Sequence, residues 1–186
     1  MSNRYTFETE RMILTTSDMS MVGDILDFNI RNEEHFSEWE DKKSPDYYTR
    51  EYHRFLVRSE KEDIKNSTGF TLYLTEKKTG LIIGRVVAFG MLGGNCSFCM
   101  LGYKLDRDWQ HQGYMHEALS EVINILFDEM DMHRIEIYIL PKNERSINVV
   151  KRLGFRQEGV AEKYMRIFGR WEDHLRFVML REDREK

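Results

Sequence analysis

The segment Gln110-His111-Gln112-Gly113-Tyr114-Met115 contains the residue types that a phosphate-binding turn needs. It lies between an apolar stretch that ends at Leu105 and a long amphipathic helix. A glycine at position 113 lets the backbone approach a ligand closely. The first N–H groups of the helix that follows have no partner within the helix, so they are available to an anion at the helix start. We interpret the segment as a loop that binds a pyrophosphate.

Other phosphate loops and metal motifs do not fit this region. The loop lacks the Gly-Lys-Ser/Thr end of a P-loop and the spaced glycines of a dinucleotide fingerprint. His116-Glu117 begins like the zinc-protease motif His-Glu-x-x-His, but Ser120 occupies the position of the second histidine. We therefore expect no metal site.

The two cysteines, Cys96 and Cys99, form a Cys-x-x-Cys. They lie in a stretch, 95–105, that is predicted as a strand, and residues three apart on a strand point to opposite faces. Such a pair cannot share a metal ion or a disulfide comfortably. We interpret both as reduced structural thiols in a reducing compartment.

The composition limits the class of protein. A chain of 186 residues, 41% of them hydrophobic, suits one domain spanning residues 1–186. The formal net charge of -4 argues against direct nucleic-acid binding, which needs a basic face. No apolar run approaches the ~20 residues of a membrane span, and no export signal stands at the start. We expect a cytoplasmic protein with no membrane contact.

The periodicity of apolar residues and the turn signals predict a mixed α/β chain. Strands are expected at 7–14, 69–76, 81–91, 95–105, 134–140, 155–167 and 171–181. Helices are expected at 18–28, 46–65, 115–130 and 144–153, the first capped by Asp18, with a loop over 32–44.

The order of these elements predicts the sheet. The strands around residues 69–105 form an antiparallel meander. A strand, a crossover helix and a strand over 95–140 imply a parallel pair at the centre of a mostly antiparallel sheet with flanking helices. The phosphate loop then lies at the carboxyl end of a strand, where such sheets bind ligands.

Several motifs accompany the loop along nearly the whole chain. Gln110 and Gly113 match a Q/R-x-x-G-x-G/A signature, from which Met115 departs. The others are Thr9-Glu10-Arg11-Met12, His35-Phe36-x-x-Trp39, Leu101-Gly102-Tyr103-Lys104-Leu105, Glu117-Ala118-Leu119, Asn143-x-x-Ser146-x-x-Val149-x-x-Arg152-Leu153-Gly154-Phe155, Glu158-Gly159 and Ile167-x-Gly169-x-Trp171-x-Asp173-His174. Together they resemble the GNAT acetyltransferases, in the RimJ/RimL-type branch of ribosomal-protein alanine N-acetyltransferases.

The resemblance implies the GNAT fold and an acetyl-CoA site. It places the pyrophosphate on the loop, that is on Gln110, His111, Gln112, Gly113, Tyr114 and Met115. It places the pantetheine arm along the backbone at Tyr103, Lys104 and Leu105, with Asn143 and Ser146 near the thioester. His111 stands where this branch usually has glycine. We also expect Lys151 and Arg152 near the ribose phosphate, with simple solvation as the alternative.

The implied chemistry is attack of a neutral amine on a thioester, through a tetrahedral oxyanion, with a thiolate leaving. Backbone N–H groups of the strand before the loop supply the oxyanion donor. Many GNAT enzymes resemble one another in using a tyrosine as the acid, but the matching residue here is Val150. Ser146, one turn earlier, is the candidate acid. The alternative is a serine that hydrogen-bonds locally at a helix start.

A candidate base lies on the predicted strand 134–140. Glu136 and Tyr138 share one face, whereas Ile135, Ile137 and Ile139 share the other. Glu136 would reach the cleft through water. The alternative is a carboxylate paired with a neighbouring strand.

The acceptor site is predicted from an acidic loop that carries aromatic residues. The acidic residues are Glu33, Glu34, Glu38, Glu40 and Asp41. We expect Phe36, Trp39 and Tyr103 to contact the acceptor. The alternative is a solvated loop whose aromatic residues cap the core.

We expect an acetyl-CoA-dependent N-acetyltransferase that works by direct transfer, as a monomer or homodimer. An α-amino group with a pKa of about 7.8 is about one-tenth neutral at pH 7, whereas a lysine at about 10.4 is under about one-thousandth neutral. This difference favours a protein N-terminus, ribosomal or other, as the acceptor. One alternative acceptor is a small amine such as a polyamine or an aminoglycoside. Another class is a noncatalytic acyl-CoA-binding or ribosome-associated module.

Overall fold

The computed structural model describes residues 5–185, which form one eight-stranded sheet flanked by helices. The strands are β1 Thr6–Glu8, β2 Met12–Thr15, β3 Gly69–Glu76, β4 Ile82–Leu92, β5 Phe98–Leu105, β6 Arg134–Ile139, β7 Arg156–Ile167 and β8 Arg170–Leu180. The helices are α1 Val22–Arg31, α2 Glu33–Phe36, α3 Arg50–Lys65, α4 Tyr114–Asn124 and α5 Glu144–Arg152. Over residues 5–185, no helix has the length and apolar character that crossing a lipid bilayer requires.

The strand order is β1-β2-β3-β4-β5-β6-β8-β7. Every neighbouring pair is antiparallel except β5 and β6, which confirms the predicted central parallel pair. That pair is short, since its register runs only from Phe98 opposite Arg134 to Met100 opposite Glu136. Beyond Met100 the two strands separate, and a cavity lies between Leu101–Tyr103 on one side and Ile137–Ile139 on the other.

The two faces of the sheet carry two different cores. Leu72, Leu74 and Ile83 belong to a large core that α4 fills, whereas Tyr73 and Ile82 belong to a smaller core beneath α1 and α3. Because successive strand residues point to opposite faces, these two sets lie on opposite sides of the sheet. The helix that follows the phosphate loop therefore packs on one face, and α1 packs on the other.

The predicted first strand, 7–14, is wrong as a single element. The chain folds there as a hairpin, β1 and β2, with Thr6 opposite Thr15. The turn is closed by Thr9, whose N–H donates to the Met12 carbonyl at 2.9 Å. It contains neither glycine nor proline, so the sequence gives no turn signal.

The first two predicted helices, which correspond to α1 and α3, begin later than the sequence pattern indicates. Asp18 is a cap, since its side chain accepts the Ser20 N–H, but it caps a 3-10 turn, Met19–Met21, that precedes α1. The predicted helix 46–65 divides at Thr49, whose side chain accepts the Tyr52 N–H at 3.2 Å and starts α3. The segment 32–44, predicted as a loop, contains the four-residue helix α2.

Two predictions in the later elements also need correction. The strand predicted from position 95 begins at Phe98, so Cys96 lies in a 3-10 turn, and strand geometry does not separate it from Cys99. Both cysteines are free, Cys96 exposed and Cys99 buried. The helix predicted to reach Met130 is α4 followed by a π-helical turn, Ile125–Glu129.

Asp106, directly after β5, fixes the start of the phosphate loop. Its side chain is 1% exposed, and its carboxylate accepts hydrogen bonds from Arg31 at 2.6 Å, Asn32 at 3.0 Å and the Asp108 N–H at 3.0 Å. Burial opposes ionisation, but these donors hold the pKa of Asp106 below its usual value. The end of α1 and the start of the loop are thus tied to one buried charge.

Asp106→Asn should therefore lower the free energy of unfolding at pH 7 by about 2 to 4 kcal/mol, because an amide NH₂ would face donors and leave Arg31 without its charge partner. The wild-type advantage is present above the unfolded-state pKa of about 3.9 and is lost as pH falls through the lower folded-state value. Urea titrations at pH 7 and at acid pH would measure it. The exposed carboxylate Asp27 gives the control Asp27→Asn, and equal loss in both variants would contradict the role of Asp106.

Candidate active site

A cavity of about 620 Å³ opens beside the carboxyl end of β5. It lies between α2, the loop before α4, and α5. The predicted cofactor residues that line it are Tyr103, Lys104, Leu105, Gln110, His111, Gly113, Tyr114, Met115, Asn143, Ser146 and Arg152. Phe36 and Trp39 line it as well. The structure therefore brings these predicted cofactor and acceptor residues to one cavity.

Two predicted residues lie elsewhere. Gln112 does not line the cavity: its carbonyl accepts a hydrogen bond from Arg11 at 2.8 Å, and its amide donates to the Asp108 carbonyl at 3.0 Å. Lys151 is exposed outside the cavity. Gln112 thus shapes the loop through its own contacts.

The loop has the backbone conformation that anion binding requires. Gly113 has φ +81°, and its carbonyl accepts the Glu117 N–H at 3.0 Å as the first bond of α4. The N–H groups of Tyr114, Met115 and His116 precede that bond, so they lie in the part of the helix that has no intrahelical acceptor. They are the groups that would contact a phosphate.

His111 occupies a second left-handed position, with φ +59°. Glycine adopts such a positive φ without steric cost, whereas a histidine adopts it at a cost of about 1 to 2 kcal/mol.

Arg11, in the β1–β2 turn, holds the loop and α4 together. Its Nε donates to Glu117 at 2.6 Å, and its backbone N–H donates to the other Glu117 oxygen at 2.8 Å. Its guanidinium also lies 4.0 Å from the centre of the Tyr114 ring. Burial opposes ionisation, but hydrogen bonds from Thr9 and Arg11 keep the pKa of Glu117 below its usual value. Sequence reasoning assigned no role to Arg11, because its partners lie about a hundred residues away.

Ser146 lies where the two cavities of this region meet. The Asn143 side chain caps α5 by accepting the Ser146 N–H at 3.1 Å, and the Tyr103 hydroxyl donates to the Ser146 carbonyl at 3.3 Å. These contacts use the backbone of Ser146. Burial raises the pKa of Tyr103 to about 12, which keeps this tyrosine a neutral donor.

A smaller cavity of about 190 Å³ fills the gap between β5 and β6. It shares Trp39, Tyr103, Asn143 and Ser146 with the larger cavity. Its other lining residues come from β5, β6 and the β7–β8 hairpin: Leu101, Gly102, Ile137, Tyr138, Ile139, Leu140, Met165, Ile167 and His174. Polar and apolar atoms contribute about equally to the exposed lining. The lining includes the buried His174, which sequence reasoning did not select as a site residue.

Glu136 does not line either cavity. The residue is 9% exposed, and its carboxylate accepts hydrogen bonds from Arg134 Nε at 2.5 Å and the Tyr138 hydroxyl at 2.7 Å. The alternative, a solvated carboxylate paired with a neighbouring strand, does not describe Glu136 either, because the residue is buried and Arg134 lies on the same strand. Burial and the bond to Glu136 raise the pKa of Tyr138, which lines the smaller cavity and stacks on Tyr164 at 4.3 Å.

The acidic residues of segment 37–41 are each engaged by a donor. Glu40 accepts a hydrogen bond from Lys104 Nζ at 2.5 Å, Glu38 lies 3.7 Å from Arg145, and Asp41 accepts the Phe168 N–H. Burial lowers the pKa of Lys104 to about 8, although Glu40 opposes this shift. The segment is thus a tethered wall of the cavity, in which Glu38 and Asp41 remain exposed, and Phe36 beside it packs in the smaller core.

Comparisons with known proteins agree with this geometry. A family model described as an acetyltransferase (GNAT) domain matches residues 11–156. The probable N-acetyltransferase YjcK of Bacillus subtilis is 30% identical over 161 residues, which are 87% of this chain and 89% of that protein. The ribosomal protein uS5-alanine N-acetyltransferase of Escherichia coli is 35% identical over 111 residues, which are 60% of this chain and 57% of that protein.

Solved structures show the same fold. The ribosomal-protein-S5-alanine acetyltransferase of Vibrio fischeri superposes with a TM-score of 0.91 at 31% identity, over 96% of this chain and 98% of that chain. RimJ of Mycobacterium smegmatis, in complex with CoA-disulfide, superposes with a TM-score of 0.88 at 19% identity, over 94% and 84% of the two chains. The predicted mixed α/β fold and the RimJ/RimL-type resemblance are confirmed. The chain belongs to the GNAT acetyltransferases and is an acetyl-CoA-dependent acyltransferase.

Proposed function

We propose that this enzyme acetylates the N-terminal α-amine of a protein, by direct transfer from acetyl-CoA. The observation that carries the proposal is the state of the carboxylates near the cleft. Among residues 5–185, no carboxylate lines the smaller cavity, and Glu40, which lines the larger one, is bound by Lys104. A polyamine or an aminoglycoside carries several positive charges, which need unpaired carboxylates for recognition. An acceptor with a single reactive amine fits this surface better.

The larger cavity supplies the donor site in this proposal. The first-turn N–H groups of α4 face the pyrophosphate, and Arg152 is available for the ribose phosphate. The pantetheine arm follows the β5 backbone at Tyr103 and Leu105, where β5 has left its partner β6 and its backbone groups face the gap. The fit is supported by the cavity volume of about 620 Å³ and by the positive φ of Gly113.

The smaller cavity supplies the acceptor site. The reacting amine lies near Ser146 and Asn143, where the two cavities meet. The first side chain of the acceptor enters the gap between Trp39 and Met165. Because the smaller cavity has a volume of only about 190 Å³, we propose that the first residue of the acceptor is small, such as alanine or serine.

Different groups of the protein carry out the separate steps of the reaction. Backbone N–H groups of β5 in the gap donate to the developing oxyanion. The Ser146 hydroxyl donates its proton to the departing thiolate and regains one from solvent. The amine arrives neutral. After attack it releases a proton to the Tyr138 oxygen while the Tyr138 hydroxyl proton moves to Glu136, which passes it on to solvent. In this scheme Glu136 acts through Tyr138, because Arg134 already binds its carboxylate.

An acceptor panel tests the proposal directly. Free-thiol release from acetyl-CoA should be fastest with peptides that start with Ala or Ser, and absent with the same peptides acetylated at the N-terminus and carrying an internal lysine. Rates should rise with pH through about 8 as the α-amine loses its proton. Turnover confined to polyamines or aminoglycosides would show that the acceptor is a small amine and not a protein N-terminus. No thiol release with any amine, despite CoA binding, would favour a noncatalytic module.

Gly113→Glu should abolish detectable CoA binding. The new carboxylate would repel the phosphates at the helix start, and a glutamate would be strained at the positive φ of this position. Titration calorimetry with CoA measures the loss. Gly80 offers a matched control, since it also has positive φ and an added Cβ meets nothing within 4 Å, in a turn outside the cavity. Unchanged CoA affinity in Gly113→Glu, with wild-type circular dichroism, would refute the loop assignment.

Ser146→Ala should lower kcat by about 10²-fold with little change in CoA affinity, the size of effect expected for a general acid. The control is Ser120→Ala, a serine on α4 whose hydroxyl donates to the His116 carbonyl at 2.9 Å. A kcat within about twofold of wild type would show that the Ser146 hydroxyl takes no part in the chemistry. The residue would then have only its contacts at the start of α5.

A further inference from the structure

A chain of three side chains joins the acceptor wall to the cofactor loop. His35 Nε2, at the end of α2, lies 2.5 Å from Gln110 Nε2, and Gln110 Oε1 accepts a hydrogen bond from Arg145 Nη1 at 2.5 Å. All three residues line the larger cavity. They come from three different elements: α2, which directly precedes the wall, the loop before α4, and the first turn of α5. The acetyl-transfer steps proposed above use none of these contacts.

The donor and acceptor properties of the three groups permit one arrangement. A guanidinium has only donors, so Gln110 must turn its carbonyl oxygen to Arg145. The amide NH₂ of Gln110 then faces His35, and His35 Nε2 must accept. This nitrogen accepts only in a neutral imidazole that carries its proton on Nδ1. The chain is therefore complete only while His35 is uncharged.

The surroundings of His35 favour that neutral form. The residue is 9% exposed. Its burial lowers its pKa; the charges of Glu38 and Asp106 oppose this, whereas Arg145 and Arg107 add to it. These four groups come from the wall, from the turn after β5 and from α5. A protonated His35 would point a donor at the Gln110 amide, and Gln110 could not rotate without turning its NH₂ towards Arg145.

Arg145 also contacts the wall itself. Its guanidinium lies 5.5 Å from the centre of the Trp39 ring and 3.7 Å from Glu38. Residues 37–44 contain no helix or strand. Trp39 and Glu40 are tied to α2 by their N–H groups, which donate to the Phe36 carbonyl, and the contacts of Arg145 add to this tether. A change in Gln110 or Arg145 is therefore passed to the residues that line the acceptor cavity, Trp39 above all.

We propose that the chain His35–Gln110–Arg145 couples occupancy of the cofactor loop to the order of the acceptor wall, with neutral His35 as the positioning residue. CoA bound at the loop fixes Gln110, and Gln110 in turn holds His35 and the wall. This inference rests on the cofactor position proposed above, and it is independent of which amine is the acceptor.

The coupling has a defined pH dependence. The pKa of His35 is lower in the connected state than the ordinary value of about 6.5. The connected state therefore binds fewer protons than the disconnected one, so it is favoured at high pH and is lost as pH falls below about 6.5. The phosphates of CoA titrate in the same range in every variant, so differences between variants isolate the contribution of His35.

Hydrogen exchange of the wall, with and without CoA, tests the coupling. At pH 7.5, CoA should slow exchange in residues 33–40 about 5-fold, the factor that one added hydrogen bond provides. In His35→Phe, which removes the acceptor, this slowing should disappear. In His35→Gln, whose carbonyl accepts the same bond without titrating, it should persist at pH 7.5 and also at pH 5.5, where the wild type loses it.

His133 supplies the matched control, because it is exposed on the protein surface and contacts Glu182. His133→Phe should behave as wild type. Slowing that persists in His35→Phe, or that His35→Gln fails to restore, would overturn the coupling. Exchange of residues 110–117 in the same samples reports the cofactor itself: if CoA leaves these residues unprotected, the proposed cofactor position fails, and the coupling fails with it.

Discussion

The separation of β5 from β6 after three paired residues is the constraint on which the site depends. Parallel strands normally continue their hydrogen bonds, and an unpaired backbone group that is buried costs about 1 to 3 kcal/mol. The backbone groups that face this gap therefore need partners from water or from a ligand. A substrate that is itself a chain of amides can make these hydrogen bonds. The cleft is thus a place where the sheet is incomplete.

Buried ionic contacts keep the edges of this gap in place. Asp106 binds the end of α1 to the turn after β5, and Arg11 binds the β1–β2 turn to α4 through Glu117. Both pairs join segments that are far apart in sequence, and both are shielded from solvent more than a surface pair is. Removing one partner of such a pair leaves a charge without compensation, which costs far more than losing a surface pair. The loop is therefore positioned by the polar network as well as by the apolar core.

The sequence predicted the features that depend on local rules. The glycine at 113, the start of the amphipathic α4 and the helix α5 are encoded within a few residues, and each lies within one residue of where the pattern placed it. The turn at Thr9 was missed because it contains neither glycine nor proline and so has no strong sequence signal. The partners of Glu136, Glu40 and Gln110 were missed for another reason. The position of a carboxylate or an amide in the sequence does not indicate which donor the fold will bring into contact with it.

Electrostatics at the two ends of the cleft differ in a way that fits the chemistry. The donor end presents helix N–H groups and basic side chains, which suit phosphates. Near the acceptor site the charged side chains lie in pairs, such as Lys104 with Glu40, so Glu40 is not available to attract a cation. Burial lowers the pKa of Lys104 to about 8. An acceptor amine must be neutral to attack, so a site that attracted ammonium groups would stabilise the unreactive form. The α-amine loses its proton more easily than a lysine side chain does, and for this reason it is the acceptor that we propose.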